Sequence, residues 1–437
     1  MSGGVEVRKA SRKLTVVEGD LFVEDSEVIA ELEAVNVSGG TECHGYCSFL
    51  GSLLTEYLEG RRGDVQIKGN LDAKKYVNVK GNLDVSGHLH SDRLHVRQRV
   101  LVGGAFDVSD VNVGGALEIS GQAKADKVSV GGSLRCGSDV DFGRVNVGGT
   151  VNISGSTKSE RIDVGGVFRG DGKVISDDID VGGTFEAGEV SVGKIDVGGT
   201  AKIGGGQVTR KVDVGGTFRS SGPLIFNIID VGGTVSLSGG KGEDIEVGGK
   251  LVSEGSLTFN RLRAGGTIDI NGDAVGKRID VGGTLNVNGS IRLSEQLKAG
   301  GRAEAQDQIE ADSIQVGGSL SADVIRVLRT IEVSKLMTSK GAKAKRIEIR
   351  RRGAARGPII GEEVTIKEDA EVEDVWGDVV VLMSGARARN IYAGVFYAEA
   401  GSDVTGSILF TRELRAERGC RFQAQPTKAD KLPEPPL

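Results

Sequence analysis

The sequence has little of what most folds of its size are built from. Aromatic residues make up 4% of its 437 positions, with a single tryptophan, and there are only 6 prolines and 4 cysteines. So few aromatics exclude a broad aromatic core and favour narrow packing of β-branched side chains. Cys43, Cys47, Cys136 and Cys420 are too few for a disulfide framework, which makes a reducing, cytoplasmic setting the expectation. There is no run of about 18 apolar residues, and the start MSGGVEVRKASRK lacks the apolar stretch of a signal peptide, so no transmembrane segment is expected. An excess of one charge is also missing. The 61 acidic and 55 basic residues leave a net charge of -6, which gives no general reason to expect nucleic acid.

Glycine is what the chain has in abundance, 69 residues without a Gly-X-Y period, and it comes in pairs. The stretch Ile279 to Gly283, IDVGG, recurs in variants whose glycine pairs begin at Gly114, Gly131, Gly148, Gly165, Gly182, Gly198, Gly215, Gly232, Gly248, Gly265, Gly282, Gly300 and Gly317, 16 to 18 residues apart. A fixed period of that length means one unit stacked on itself, and a solenoid grows without splitting into globular domains.

Within each period the apolar residues follow a tighter rule. Val77/Val79, Leu83/Val85, Leu89/Ser91 and Leu94 begin six, six and five residues apart. The same steps recur in Val128/Val130, Leu134/Cys136, Val140/Phe142, Val145, in Val212/Val214, Phe218/Ser220, Leu224/Phe226, Ile229, and in Leu262/Ala264, Ile268/Ile270, Ala274/Gly276, Ile279. Three short strands per turn, each sending residues i and i+2 to one side, describe a triangular tube. The expected fold is all-β: a single-stranded β-solenoid, a triangular β-helix of about 17 residues per turn. Glycine is expected at the corners because it reaches positive φ without a Cβ clash. The fifteen steps from Val77 to Ile331, stacked about 4.8 Å apart, predict a rod of roughly 70 Å for that part. The inward pattern does not select a handedness, since mirror coils share it.

Four regions follow. Residues 1–64 hold irregular strand turns or a cap, with apolar pairs at Leu14/Val16, Leu21/Val23, Val28/Ala30 and Val35/Val37, and a segment from Cys43 to Gly60 that reads equally as a short helix or as strands. Residues 65–330 are the regular array. Residues 331–423 are degenerate turns, in which the double glycine is lost while the period survives at Ile331, Ile347 and Val364. Residues 424–437, with four of the prolines, read as an extended, disordered tail.

The turns VNVKGNLDVSGHLHSDRLHV (Val77 to Val96) and VNVGGTVNISG (Val145 to Gly155) resemble those of bactofilins, the polymer-forming cytoskeletal proteins, over roughly residues 65 to 330. The long, acidic, double-glycine form is similar to archaeal relatives of that family. The resemblance implies a right-handed β-helix and a nucleotide-free subunit that associates with itself end to end. This chain departs from the family in its length and in lacking an apolar targeting segment at its start.

No catalytic, cofactor or metal site is expected. The glycine pairs do not follow the phosphate-loop pattern GxxxxGK[ST], and the GGxGxD repeat of calcium-binding rolls is absent. An acyltransferase on such a coil would call for a histidine near a coil boundary, and none follows His95. Cys43, His44 and Cys47 with His88, His90 and His95 lack the paired C-x2-C spacing of a zinc site. Asp163, Asp180, Asp196, Asp213, Asp230 and Glu246 form an outward acidic column, which reads as a solvated face or as a binder of divalent cations or a basic partner. The basic run of residues 343–356, with Lys343, Lys345, Arg346, Arg350, Arg351, Arg352 and Arg356, is the candidate site for a partner protein or an anionic surface; it lacks stacking aromatics, which disfavours nucleic acid. The functional expectation is a non-enzymatic scaffold that forms homopolymers, with a monomeric binding rod as the alternative.

Overall fold

The computed structural model describes residues 4–437, which form strands and corners and, among the described residues, no helix. The chain divides into two compact units, residues 1–221 and 222–437. In each unit successive coils pair in parallel along their whole length, the arrangement that defines a parallel β-solenoid.

In the first unit the wall column runs Val77, Leu94, Val111, Val128 and Val145, each paired with the next. All are buried, as are Leu134, Cys136, Val140 and Phe142 from the other walls. The step of five marks a different kind of corner from the steps of six. The strand Val140–Val147 carries the third wall and the first wall of the next turn in one piece, and its pairing with Thr157–Val164 skips only Gly143 and Glu160 at the bend. Inward serines serve this bend. Ser91 Oγ donates to Arg93 O at 3.2 Å, Ser159 Oγ to Gly143 O at 2.9 Å and Arg161 O at 3.1 Å, and Ser176 Oγ to Asp178 O at 3.1 Å. A buried hydroxyl is tolerated here because it satisfies a carbonyl that the bend has pulled off the ladder.

The glycine pairs turn their corner without positive φ. The left-handed glycines lie elsewhere, and Gly148, Gly149, Gly165, Gly166, Gly282 and Gly283 are not among them. What these positions require is the absence of a side chain. A Cβ on Gly148 would stand 2.4 Å from Gly131 O, one on Gly165 2.5 Å from Gly148 O, and one on Gly282 2.3 Å from Gly265 O. Hydrogen bonds draw the turns together at this corner: Gly166 N–H and Val167 N–H both donate to Gly149 O, at 3.1 and 3.2 Å. The expected explanation through φ is therefore replaced by one of axial crowding.

True left-handed corners stack at the two chain ends. Lys9, Asp25, Gly45 and Gly63 form one such set, and Arg352, Asp369, Gly385, Gly401 and Gly419 the other. The first turns also correct the inward pattern. Val17 is buried while Val16 is 64% exposed, because a corner falls after Leu14 and shifts the alternation by one. The ambiguous segment from Cys43 belongs to the strand Thr41–Arg62, with Leu53 and Leu58 inward and Tyr57 stacked on Tyr76 at 5.1 Å.

In the second unit the column Leu262, Ile279, Leu297, Ile314, Ile331, Ile347, Val364, Val380 and Phe396 continues through the turns without paired glycines. Residues 424–437 lie extended along the wall instead of hanging free. Thr427–Lys428 pairs with Leu409 and Phe410, and Pro433 O accepts a hydrogen bond from Trp376 Nε1 at 3.2 Å. An apolar outward side chain, Ile360, lies in the trough beside this segment and is 8% exposed.

Candidate functional surfaces

A solenoid can act through its walls or through its ends. The walls here carry charge arranged by register. In the first unit Asp163, Asp180, Asp196 and Asp213 are paired in adjacent turns, and in the second Asp230 is paired with Glu246. Like charges at that spacing repel, and a cation two residues earlier on the same strand offsets the repulsion: Lys194 Nζ lies 2.7 Å from Asp196, and Lys211 Nζ 2.7 Å from Asp213. The hydrogen bond to Asp196, with the further charges of Asp213 and Asp180, raises the Lys194 ammonium above its usual value. In the second unit the same outward position continues as Arg263, Asp280 and Lys298, so the column alternates in sign beyond Glu246. Among the described residues no three His, Cys, Asp or Glu side chains are grouped to hold a metal ion.

Three of the seven cations of the basic run are paired by the turns on either side. Arg346 meets Glu363 at 2.7 Å, Arg350 meets Glu332 at 2.7 Å, and Arg352 lies 3.9 Å from Asp369. The acidic stretch that follows it in sequence sits one coil on, and register brings Arg346 opposite Glu363. Arg350 to Gly353 form a bulge at the corner, where Val333 pairs with Ile349 but Lys335 pairs with Ala354, and Arg352 takes φ 54°. Lys343 and Lys345 are exposed and line a cleft in the wall.

Of the cysteine and histidine candidates, Cys43 and Cys47 are fully buried, and the Cys47 thiol approaches Val23 O at 3.4 Å. A hydrogen bond between the two thiols lowers Cys47 and, with burial, raises Cys43. His44 packs on the Phe22 ring at 4.9 Å, His88 Nδ1 accepts from Ala105 N–H at 2.7 Å, and His90 stands 3.6 Å from Asp107. Burial pushes the Cys136 thiol up to about 12. Burial also raises the Cys420 thiol, so access decides the order: in the native protein a thiol reagent is expected to label the half-buried Cys420 first and the buried Cys136 only on unfolding. Peptide mapping after timed alkylation checks this order.

The ends are strand edges. In the first unit Val5–Arg8, Ser11–Leu14 and Val16–Val17 each pair on one side with Leu21–Val37, and among the described residues nothing pairs with their other side. Val5 N–H donates to Asp20 O at 2.9 Å and Lys9 N–H to Glu24 O at 2.8 Å. Alternation then turns the amides of Glu6 and Arg8 to the open side. The apolar interior reaches this edge, with Val7, Leu14 and Val17 buried directly beneath it. In the second unit the last coil is more polar. Ile408–Ala416 receives the two-residue strand Thr427–Lys428 over Leu409 and Phe410, while Arg412 and Arg415 stand exposed.

The class of the protein is thus that of parallel β-solenoids. Compared with known protein families, with curated proteins and with solved structures, the chain matches none. No helix among the described residues is long and apolar enough to cross a membrane.

Proposed function

We propose that the protein is a non-enzymatic structural scaffold, a cytoskeletal or filament-forming subunit that associates end to end without nucleotide in the cytoplasm. The observation that carries this reading is the open edge of Val5–Arg8 and Ser11–Leu14, backed by an apolar interior and capped by no helix among the described residues. Unpaired N–H and C=O groups on such an edge are a template for another chain. The edge of the second unit differs in composition, so a contact between unlike ends would be heterologous, the kind of contact that builds a filament where its rotation does not close a ring. The likeness of the repeats to those of bactofilins supports the same reading, including an archaeal-type relative.

One observation favours the alternative, a monomeric binding rod: Arg12 Nη1 reaches the outward Glu6 carbonyl at 3.4 Å and partly covers the edge. Negative-stain microscopy over a range of salt and protein concentration separates the two. Filaments, sheets or tubes are expected, and discrete particles at every condition would sink the polymer reading. Glu6→Pro removes an outward amide and leaves the inward ones. At about 1 kcal/mol for one hydrogen bond, the assembly threshold should rise about fivefold while the melting temperature stays put. An unchanged threshold would place the contact elsewhere.

A further inference from the structure

A cleft of about 1290 Å³ lies in the second unit between the wall and the extended segment 430–437. Its floor is one outward column in which register aligns Lys343, Ile360 and Trp376, with Tyr392 stacked on Trp376 at 4.7 Å. Leu328 stands at its rim, 71% exposed. The segment DKLPEPPL runs back over this floor from Leu409, past Trp376, to Gly341, where Leu437 settles. Leu432 and Leu437 are its half-buried anchors, and Pro433, Pro435 and Pro436 remain exposed.

An aromatic-floored trough holding a proline-containing segment by one indole N–H is the chemistry of polyproline recognition. The resident fits it loosely. Glu434 turns to Lys431 of its own segment, at 3.6 Å, and among the described residues Lys343 and Lys345 have no ion-pair partner. Leu328 is likewise left uncovered.

We propose that this trough is a docking site for an extended, proline-containing peptide segment of a partner protein, carrying apolar anchors and a carboxylate that meets Lys343 and Lys345. Residues 430–437 are the intramolecular placeholder that such a segment displaces. The placeholder shows what the trough takes, and the two free lysines and Leu328 show what a better occupant adds. The site is independent of whether the chain polymerises.

Trp376 is the only tryptophan in the chain, so its emission reports the trough directly. A chain ending at Ala429 should show red-shifted emission. The synthetic peptide DKLPEPPL should reverse that shift, and a version lengthened by two aspartates at its end, beyond the leucine that settles beside Gly341 on the coil of Lys343 and Lys345, should bind more tightly. Full-length protein should bind either peptide at least about tenfold more weakly, because the tethered segment competes at high effective concentration. K343E/K345E in the truncated chain should remove the advantage of the lengthened peptide and leave DKLPEPPL binding in place. Three outcomes would overturn the proposal: no binding to the truncated chain, equal binding to the full-length and truncated chains, or concentration-dependent association of the full-length chain that truncation abolishes. The last would assign the trough to the tail of a second copy.

Discussion

Phe168→Val is expected to destabilise the chain, Gly170→Ile to destabilise it as well, and the double variant to recover most of both losses. The reason is a division of volume within the second wall. Each turn places two side chains there: Val151/Ile153 are of similar size, and in the next four turns a large one is partnered by a smaller one, Phe168/Gly170, then Phe185/Ala187, then Ala201/Ile203, then Phe218/Ser220, with register linking each turn to the next. Phe168 is fully buried, stacks on Phe185 at 5.3 Å, and spreads over the place where a Gly170 side chain would stand; a Cβ on Gly170 would meet Phe168 Cε1 at 3.1 Å.

Truncating Phe168 leaves a cavity, and full removal of such a ring to alanine costs about 3–5 kcal/mol. Enlarging Gly170 beside the ring overpacks the wall, at about 1–3 kcal/mol. F168V/G170I rebuilds the Val151/Ile153 arrangement of the coil beneath, so the coupling between the two sites should be at least about 1 kcal/mol and favourable. Urea unfolding of the four proteins measures it. A double variant no more stable than Phe168→Val alone would show that the walls are not filled pair by pair.

Gly165→Ala should lower stability by about 1–3 kcal/mol, against the usual expectation for glycine to alanine. At a position of ordinary φ that substitution stabilises by about 0.4–1 kcal/mol, because it restricts the unfolded chain. Gly165 lacks left-handed φ, so by backbone conformation alone alanine would fit. Its Cβ would nevertheless stand 2.5 Å from Gly148 O, and a backbone carbonyl held in the corner cannot rotate away. The coil spacing at that corner has to open, which strains the hydrogen bonds of Gly165 N–H to Val147 O at 3.0 Å and of Gly166 N–H to Gly149 O at 3.1 Å. Thermal melts of Gly165→Ala beside the outward control Asn112→Ala test the point. If both variants melt with the parent, crowding by the carbonyl of the coil before does not explain the glycine pairs.

The walls were legible in the sequence because alternation and a period near 17 over-determine them. Val128/Val130, Leu134/Cys136 and Ile268/Ile270 are inward as their spacing demands. Where one corner shifts, the reading fails by a single residue, as at Val16 and Val17. Of the candidate surfaces, the acidic positions were placed correctly within each unit, but their lysine partners were missed, although a lysine two residues before Asp196 and Asp213 was there to be read. The basic run was visible as composition only. That Arg346 and Arg350 are held by Glu363 and Glu332 depends on which coil lies next to which.

By itself the sequence determined the all-β class, the stacking period and the inward residues, since each follows from local alternation repeated many times. Three features were decided only by the tertiary structure. The glycine pairs are required by the carbonyl of the coil before, a neighbour some 17 residues away in the chain. Phe168 and Gly170 share one volume because both point into the same closed wall. Ile360 and Trp376 form the floor of a trough because residues 430–437 return across them. The first and third are contacts between segments distant in sequence, the second a volume that the closed wall makes two near neighbours share, and the physical reason is the same: alternation says which way a side chain points, while stacking decides what it meets.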